Sequence, residues 1–284
     1  MNYKISSSNF EQPLLKPLLE KLSQYFNSIN TKFYIIGATA RDMIMDAHGE
    51  KSGRTTCDLD IAIAISDWDK YQQIETELIK IDGFTKDLKQ KQRFIYNELY
   101  HLDIVPFGDI MKLDDKIFWP PNGETAMSVL GFSEVDKATH KVVVDENLSL
   151  NIASLAGIFL LKIVAWNDRH ASTNKDADDL GFILLNYFNI NENRVIEQNP
   201  DLYDDTDFTL TTAGARLIGR DISDILKDSP ATKQKIVDIL NSELQKQEES
   251  KLINQILETN RIFKYEETIK CLQNVITGLN DIKL

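Results

Sequence analysis

The chain has 284 residues, of which 42% are hydrophobic and 27% charged, a balance that excludes both an intrinsically disordered protein and a small disulfide-stapled one. With 44 acidic against 32 basic residues its net charge is −12, which opposes non-specific attraction to nucleic acid and demands a local basic patch of any polyanion-binding role. No apolar run approaches the roughly 20 residues of a membrane span, the opening MNYKISSSNFEQ lacks the features of a signal peptide, and Cys57 and Cys271 fit neither a disulfide framework nor zinc spacing, so a cytoplasmic protein without a membrane partner is expected.

Residues 13–29 carry Leu14, Leu15, Leu18, Leu19, Leu22, Tyr25 and Phe26 at helical spacing and predict an amphipathic helix after a polar start. A β-type run, Phe33–Ile36, stops at Gly37; residues 38–45 predict a helix and residues 58–65, DLDIAIAI, a second strand. Residues 67–80 read as a helix capped by Ser66 or Asp67, and the β-like stretches 91–97 and 100–107 lie close enough to form a hairpin. Trp119-Pro120-Pro121-Asn122-Gly123 is a loop signal, and Val142 to Val144 the last short strand. Residues 152–167, apolar on nearly every side, predict a buried helix, 176–188 a second, and the amphipathic helical pattern then recurs from Ile218 to Leu279. The expected fold is α/β: a mixed β-sheet domain with flanking helices over residues 1–150, then an all-helical domain over residues 151–284.

The chemistry-bearing signal is Gly37-Ala38-Thr39-Ala40-Arg41-Asp42, a strand running into a small-residue turn and a helix, followed by Arg54-Thr55-Thr56-Cys57-Asp58-Leu59-Asp60. A glycine there lets backbone approach a phosphate closely, and the opening helix offers free N–H groups to a triphosphate. Side chains alternate along a strand, so Asp58 and Asp60 share one face while Leu59, Ile61 and Ile63 take the other. Two adjacent carboxylates call for a divalent cation with hard oxygen ligands, typically magnesium. Asp103 interrupts a second apolar run, His101 to Pro106; beside the first strand it would complete three carboxylates, a ligand set for two metals about 3.5–4 Å apart. Lys162, Trp166 and Arg169 fall on one helix face, and a lysine in so apolar a stretch needs a partner, either phosphate or carboxylate.

Gly37-Ala38, Asp58-x-Asp60 and Asp103 resemble the active-site pattern of the DNA polymerase β-like nucleotidyltransferase superfamily. With GATARD, RTTCDLDIAI, LDIVPFG, LLKIVAWNDR and KDADDL taken together, the chain from Phe33 to Leu185 resembles the AbiEii/AbiGii-type nucleotidyltransferases, several of which are toxins of toxin–antitoxin or phage-defence modules. The resemblance implies a nucleotidyltransferase-type sheet and an enzyme that moves NMP from an NTP to an acceptor hydroxyl with release of pyrophosphate. It implies two Mg²⁺ ions, with Mn²⁺ as an alternative, on Asp58, Asp60 and Asp103, the last as ligand or general base. Triphosphate contacts would come from Gly37, Ala38, Thr39, Arg41, Lys162 and Arg169, Lys162 offsetting developing charge. RNA, including the 3′ end of a tRNA, would be the acceptor, and a cognate antitoxin the protein partner. The superfamily usually has Gly-Ser or Gly-Gly where this chain has Gly37-Ala38, so the hydroxyl that often touches phosphate would fall to Thr39. The alternatives are a nucleotide-binding or regulatory protein of the same fold without turnover, and transfer to a small molecule or a protein.

Other signals are weaker. Arg41 and Arg54 suit phosphate contact or an ion pair with Asp42. His48, His101, His140 and His170 show no ligand spacing and read as ordinary polar positions, although His101 is two residues from Asp103. Lys86, Lys89, Lys91 and Arg93 form the one basic concentration of the first half, either a solvated turn or a contact with an RNA backbone. The acids Asp176, Asp178 and Asp179 suit the first turn of a helix and the bracing of Arg169, and Asp201, Asp204, Asp205 and Asp207 a solvated loop.

Overall fold

Apolar runs that switch from a two-residue to a 3.6-residue period near residue 150 fold as two units, residues 1–154 and 155–284. The computed structural model describes residues 2–50, 57–121, 123 and 126–281. Arg54, Thr55 and Thr56 of the sequence motif, and Asn122 of the expected loop, lie outside the described residues.

The first unit runs β1 (Asn2–Ile5), α1 (Leu15–Ser28), β2 (Phe33–Ile36), α2 (Gly37–Ala47), β3 (Asp58–Ala64), α3 (Trp68–Leu78), β4 (Phe84–Lys86), β5 (Arg93–Tyr96), β6 (Tyr100–Phe107), β7 (Lys116–Phe118), β8 (Ala126–Ser128), α4 (Phe132–Lys137), β9 (His140–Val144) and β10 (Leu148–Ile152). Eight strands form one sheet in the order β1-β9-β10-β2-β3-β6-β5-β4, and β7 pairs with β8 apart from it. The sheet is mixed: β3 lies antiparallel to β2 and parallel to β6. Helices close the loops that parallel neighbours require, which makes the architecture α/β.

Five strands, β1, β4, β7, β8 and β10, were not read from the sequence. β1 is a polar edge whose partner β9 lies far along the chain, and only Ile5 of it is buried. β10 shows the expected alternation, with Leu148, Leu150 and Ile152 buried, but Ile152 was assigned to the following helix. It belongs to the sheet, opposite Ile35 of β2, and moves the boundary between units to 154/155.

The two faces of the sheet differ. Leu59, Ile61 and Ile63 of β3, with Leu102 and Ile104 of β6, are fully buried on one face. Phe26 of α1 packs its ring on Phe33 of β2, the cross-strand neighbour of Ile63, and Tyr71 of α3 donates its hydroxyl to the Ile104 carbonyl, so these helices cover that face. On the opposite face Tyr34 and Phe107 meet Phe132 of α4, and Tyr34 Oη donates to the Phe132 carbonyl at 2.9 Å. That cover reaches the Ala62 end of β3 and leaves Asp58 and Asp60, at the other end, half-exposed.

The second unit is helical: α5 (Leu155–Arg169), α6 (Lys175–Ile190), α7 (Glu192–Gln198), α8 (Leu210–Ile225), α9 (Pro230–Gln245), α10 (Lys251–Thr259) and α11 (Tyr265–Asn280). Its tightest crossing is between α8 and α11. A Cβ on Gly219 would stand 2.1 Å from the Val275 carbonyl oxygen, and one on Gly278 2.0 Å from that of Arg216, so two glycines let these backbones touch. Cys271 is buried on α11, and burial pushes its thiol up to about 12, which makes it a packing residue. No helix among the described residues is long and apolar enough to cross a membrane.

Candidate active site

Backbone register brings three aspartates to one end of the exposed sheet face. β3 and β6 run parallel with an offset of 43 residues, so Asp58 lies opposite His101 and Asp60 opposite Asp103. The β5–β6 hairpin places Arg93, ten residues before Asp103, directly across from it. Asp60, Asp103 and Arg93 therefore form one row across three strands, and Asp58 and His101 the row beside it.

The side chains depart from the expected three-carboxylate cluster. Arg93 clasps Asp103 with two parallel hydrogen bonds, Nε to Oδ1 at 2.8 Å and Nη2 to Oδ2 at 2.9 Å, the strong planar geometry that suits guanidinium and carboxylate. That bond to Asp103, opposed by partial loss of solvent, raises the guanidinium further above its ordinary value, so Arg93 is a permanent cation. Among the described residues no three His, Cys, Asp or Glu side chains are disposed to hold a common metal ion. The register thus meets the expectation, while the Asp103 carboxylate is turned onto an arginine.

His101 Nδ1 stands 2.9 Å from Asp58 Oδ1. A carboxylate oxygen accepts, which assigns the proton to Nδ1, and Arg93 Nη1, 3.4 Å from the same nitrogen, is then its neighbour and not its donor. Arg93 and His101 are the two site residues that sequence reasoning missed, one placed in a basic patch and the other among ordinary polar positions. The signal lay in the hairpin: pairing residues symmetrically about position 98 sets 93 against 103.

Gly37 is fixed by two requirements. Its φ of +68° is the left-handed region that a side chain disfavours, and a Cβ there would stand 2.5 Å from Asp60 Oδ2. The turn from β2 into α2 therefore abuts an Asp60 carboxylate oxygen directly. Ala38, half-buried, follows it at the start of α2. Thr39 is 3% exposed and spends its hydroxyl proton on the Asp58 carbonyl oxygen at 3.1 Å, tying α2 to β3, so it does not replace a phosphate-facing serine hydroxyl. Arg41 is 2% exposed and pairs with Asp42 at 2.8 Å, the ion pair allowed by the sequence in place of a phosphate contact.

The basic patch is also smaller than its sequence suggests. Lys86 pairs with Glu75 at 2.5 Å and lies over the Phe94 ring, and Arg93 is held by Asp103, which leaves Lys89 and Lys91 as the exposed members.

In the helical unit, Lys162 and Arg169 of α5 meet acids of α6 instead of standing open to a phosphate. Lys162 Nζ lies 3.1 Å from Asp176 Oδ1 and 2.6 Å from Asp179 Oδ2, and Arg169 grips Asp176 with Nε and Nη2, both at 2.7 Å. Both acids are buried. Burial pushes Asp176 up, but Arg169 and Lys162 outweigh it and hold the carboxyl below its ordinary value. The cluster gives Lys162 and Arg169 a structural role, the neutralisation of two buried acids, beside the phosphate role expected of them.

The donor chemistry of the sheet face fits a divalent cation at Asp58 and Asp60: two hard carboxylates on one strand face, with the backbone of the glycine turn against Asp60. No protein-family model matches the chain, and no curated protein matches it. Among solved structures it is similar to ANT(2″)-Ia in complex with adenylyl-2″-tobramycin, at 12% identity over 70% of this chain and 95% of that one, with a TM-score of 0.36. It is similar to the solution structure of the antibiotic-resistance factor ANT(2″)-Ia, at 13% identity over 66% and 90%, with a TM-score of 0.36. It is similar also to the CdnE cyclic dinucleotide synthase of Elizabethkingia meningoseptica with GTP and Apcpp, at 9% identity over 99% and 96%, with a TM-score of 0.29. At these scores the likenesses carry no argument about chemistry, which has to be read from this chain's own side chains.

Proposed function

We propose that this chain is a metal-dependent nucleotidyltransferase that moves a nucleoside monophosphate from an NTP to an acceptor hydroxyl. The observation that carries this reading is the glycine turn pressed against Asp60, with Asp58 beside it on the same strand face: one element lets phosphates approach closely, and the other supplies hard oxygen ligands. In the reaction the acceptor oxygen forms a bond to the α-phosphorus as the bond from that phosphorus to the pyrophosphate oxygen breaks, and the hydroxyl proton passes to solvent water. Asp58 and Asp60 would hold Mg²⁺ or Mn²⁺, which supplies positive charge against the phosphates. Gly37 admits the triphosphate. Lys162 and Arg169 take no step, since each is held by Asp176.

The acceptor is narrowed by charge. RNA, a toxin role and a cognate antitoxin follow from the sequence resemblance. The net charge of −12, and the engagement of Lys86 and Arg93 by Glu75 and Asp103, favour a small hydroxyl compound instead. The rival reading, a nucleotide-binding protein without turnover, draws support from the clasp on Asp103.

The test supplies each NTP labelled at the α-phosphate, with Mg²⁺ and, separately, total RNA, a small-molecule extract and protein. Label should enter one fraction, and Asp58→Asn with Asp60→Asn should lower its rate by on the order of 10³-fold or more. Unchanged transfer by the double variant refutes the site; NTP binding with no label transferred in a single turnover establishes the rival.

A further inference from the structure

β2 and β10 are neighbours in the eight-stranded sheet, yet one pair alone joins them, Ile152 with Ile35. Every other junction of that sheet carries at least three pairs among the described residues. Before Ile35 the two strands part, and the gap between them, with the turn out of α1 as its other wall, is a cleft of about 210 Å³. Backbone that leaves a ladder in the middle of a sheet has to find water or a ligand. The space far exceeds the ~15 Å³ that one water needs and falls below the roughly 300–1,000 Å³ of drug-sized sites, which sets the scale of a monosaccharide. Phe33, which lines the cleft, stands three residues and roughly 10 Å along β2 from Ile36, the cross-strand neighbour of Asp60, so the cleft is separate from the acidic end of the sheet.

The walls are fixed, and their chemistry differs from that of the chain as a whole. Asn30 holds φ +50°, a left-handed value that asparagine tolerates, and the turn is closed by Asn30 N donating to the Asn27 carbonyl at 3.1 Å and Thr31 N to that of Phe26 at 3.0 Å. None of the described residues that line the cleft is acidic, in a chain with 44 acids. Lys32 lines it and forms no ion pair among the described residues; Asp136, whose carboxyl burial pushes up, is the acid that its charge reaches. The side chains of Asn30, Ser149 and Asn151 likewise have no hydrogen-bond partner among the described residues. One cation, two carboxamides and a hydroxyl, with the Phe33 ring beside them, suit a ligand that carries one anionic group and several hydroxyls. We propose that the gap between β2 and β10 is a binding site for a small polyhydroxylated anion, of the size of a sugar phosphate or a sugar acid, with Lys32 on its anionic group. The site shares no residue with the acidic row and stands whether or not that row transfers nucleotides.

Calorimetric titration of the full chain with glucose 6-phosphate and with gluconate tests this, with glucose and inorganic phosphate as the two halves of such a ligand. Amide shifts of the ¹⁵N-labelled chain locate the bound molecule. At least one of the two polyhydroxylated anions should bind, one per chain, about 10-fold or more tighter than glucose or phosphate alone, and the tighter of the two identifies the anionic group as phosphate or carboxylate. The shifts should centre on residues 30–33 and 148–151. Lys32→Gln should weaken binding about 10–100-fold, the loss of one charge-assisted hydrogen bond. Asn30→Asp keeps a residue that tolerates the left-handed turn but adds a negative charge, and should weaken it similarly. Asp58→Asn with Asp60→Asn should leave the affinity unchanged. Binding of neither anion at millimolar concentration, glucose bound as tightly as both anions, affinity that survives Lys32→Gln and Asn30→Asp, or shifts centred elsewhere overturns the proposal and leaves the reading of Asp58 and Asp60 untouched.

Discussion

An aspartate gripped by two nitrogens of an arginine fork occurs in both units, and for two of these pairs, Arg169–Asp176 and Arg93–Asp103, the surroundings give the motif opposite meanings. In the helical unit Asp176 is fully buried, Arg169 holds both its oxygens, and Lys162 links it to Asp179. That cluster matches two cations to two acids and joins α5 to α6. On the sheet face Arg93 holds Asp103 in the same way, but the row continues to Asp60, and the row beside it holds Asp58, which is 42% exposed. An ion pair whose acid is fully buried between two helices is architecture; one beside half-exposed acids borders a site.

Breaking the buried cluster is the harsher way to test this contrast. Asp176→Ala removes the acid that Lys162 and Arg169 share, but Lys162 keeps Asp179 and Arg169 is 52% exposed, so it should cost about 1–3 kcal/mol in urea unfolding. The pH dependence carries a sign. Because the folded carboxyl lies below its ordinary value, its contribution is full above the unfolded value of about 3.9 and is lost as pH falls through the folded one. Below about pH 4 the wild type should therefore lose stability more steeply than Asp176→Asn, and parallel acid-unfolding curves would refute the role given to this pair.

Gly37→Ala sharpens the other side of the comparison. It forces a side chain to φ +68° and into Asp60 Oδ2, at a cost of about 1–3 kcal/mol, and should weaken NTP-dependent Mn²⁺ binding more than it lowers the melting temperature. A variant as tight as the wild type would show that the turn does not shape the site. The smallest effect belongs to Lys89→Ala with Lys91→Ala. If the acceptor is a small hydroxyl compound, transfer rate and its salt dependence should stay within experimental error, whereas a reduced salt dependence of acceptor binding would bring RNA back.

What the sequence disclosed follows from how local each signal is. Asp58 and Asp60 were legible because alternation along one strand suffices to put them on one face, and burial of Leu59, Ile61 and Ile63 opposite them agrees. Asp103 was legible as an acid in an apolar run, but its clasp depends on a hairpin register and its place beside Asp60 on a 43-residue strand offset, neither of which a period reveals. Lys162 was read rightly as a lysine in need of a partner. The partner was in the i, i+3 pair Asp176 and Asp179, already considered for bracing Arg169. β1 stayed hidden because a polar edge strand carries no pattern until β9 is beside it.

The most direct measurement of the central claim is a single turnover with NTP labelled in parallel at the α- and γ-phosphates, using the acceptor fraction found by the screen. Nucleotidyl transfer predicts that the α-label enters the acceptor, that the γ-label leaves as pyrophosphate in equal amount, and that both events vanish in Asp58→Asn with Asp60→Asn. Entry of the γ-label into the acceptor, or transfer that survives in the double variant, would contradict it.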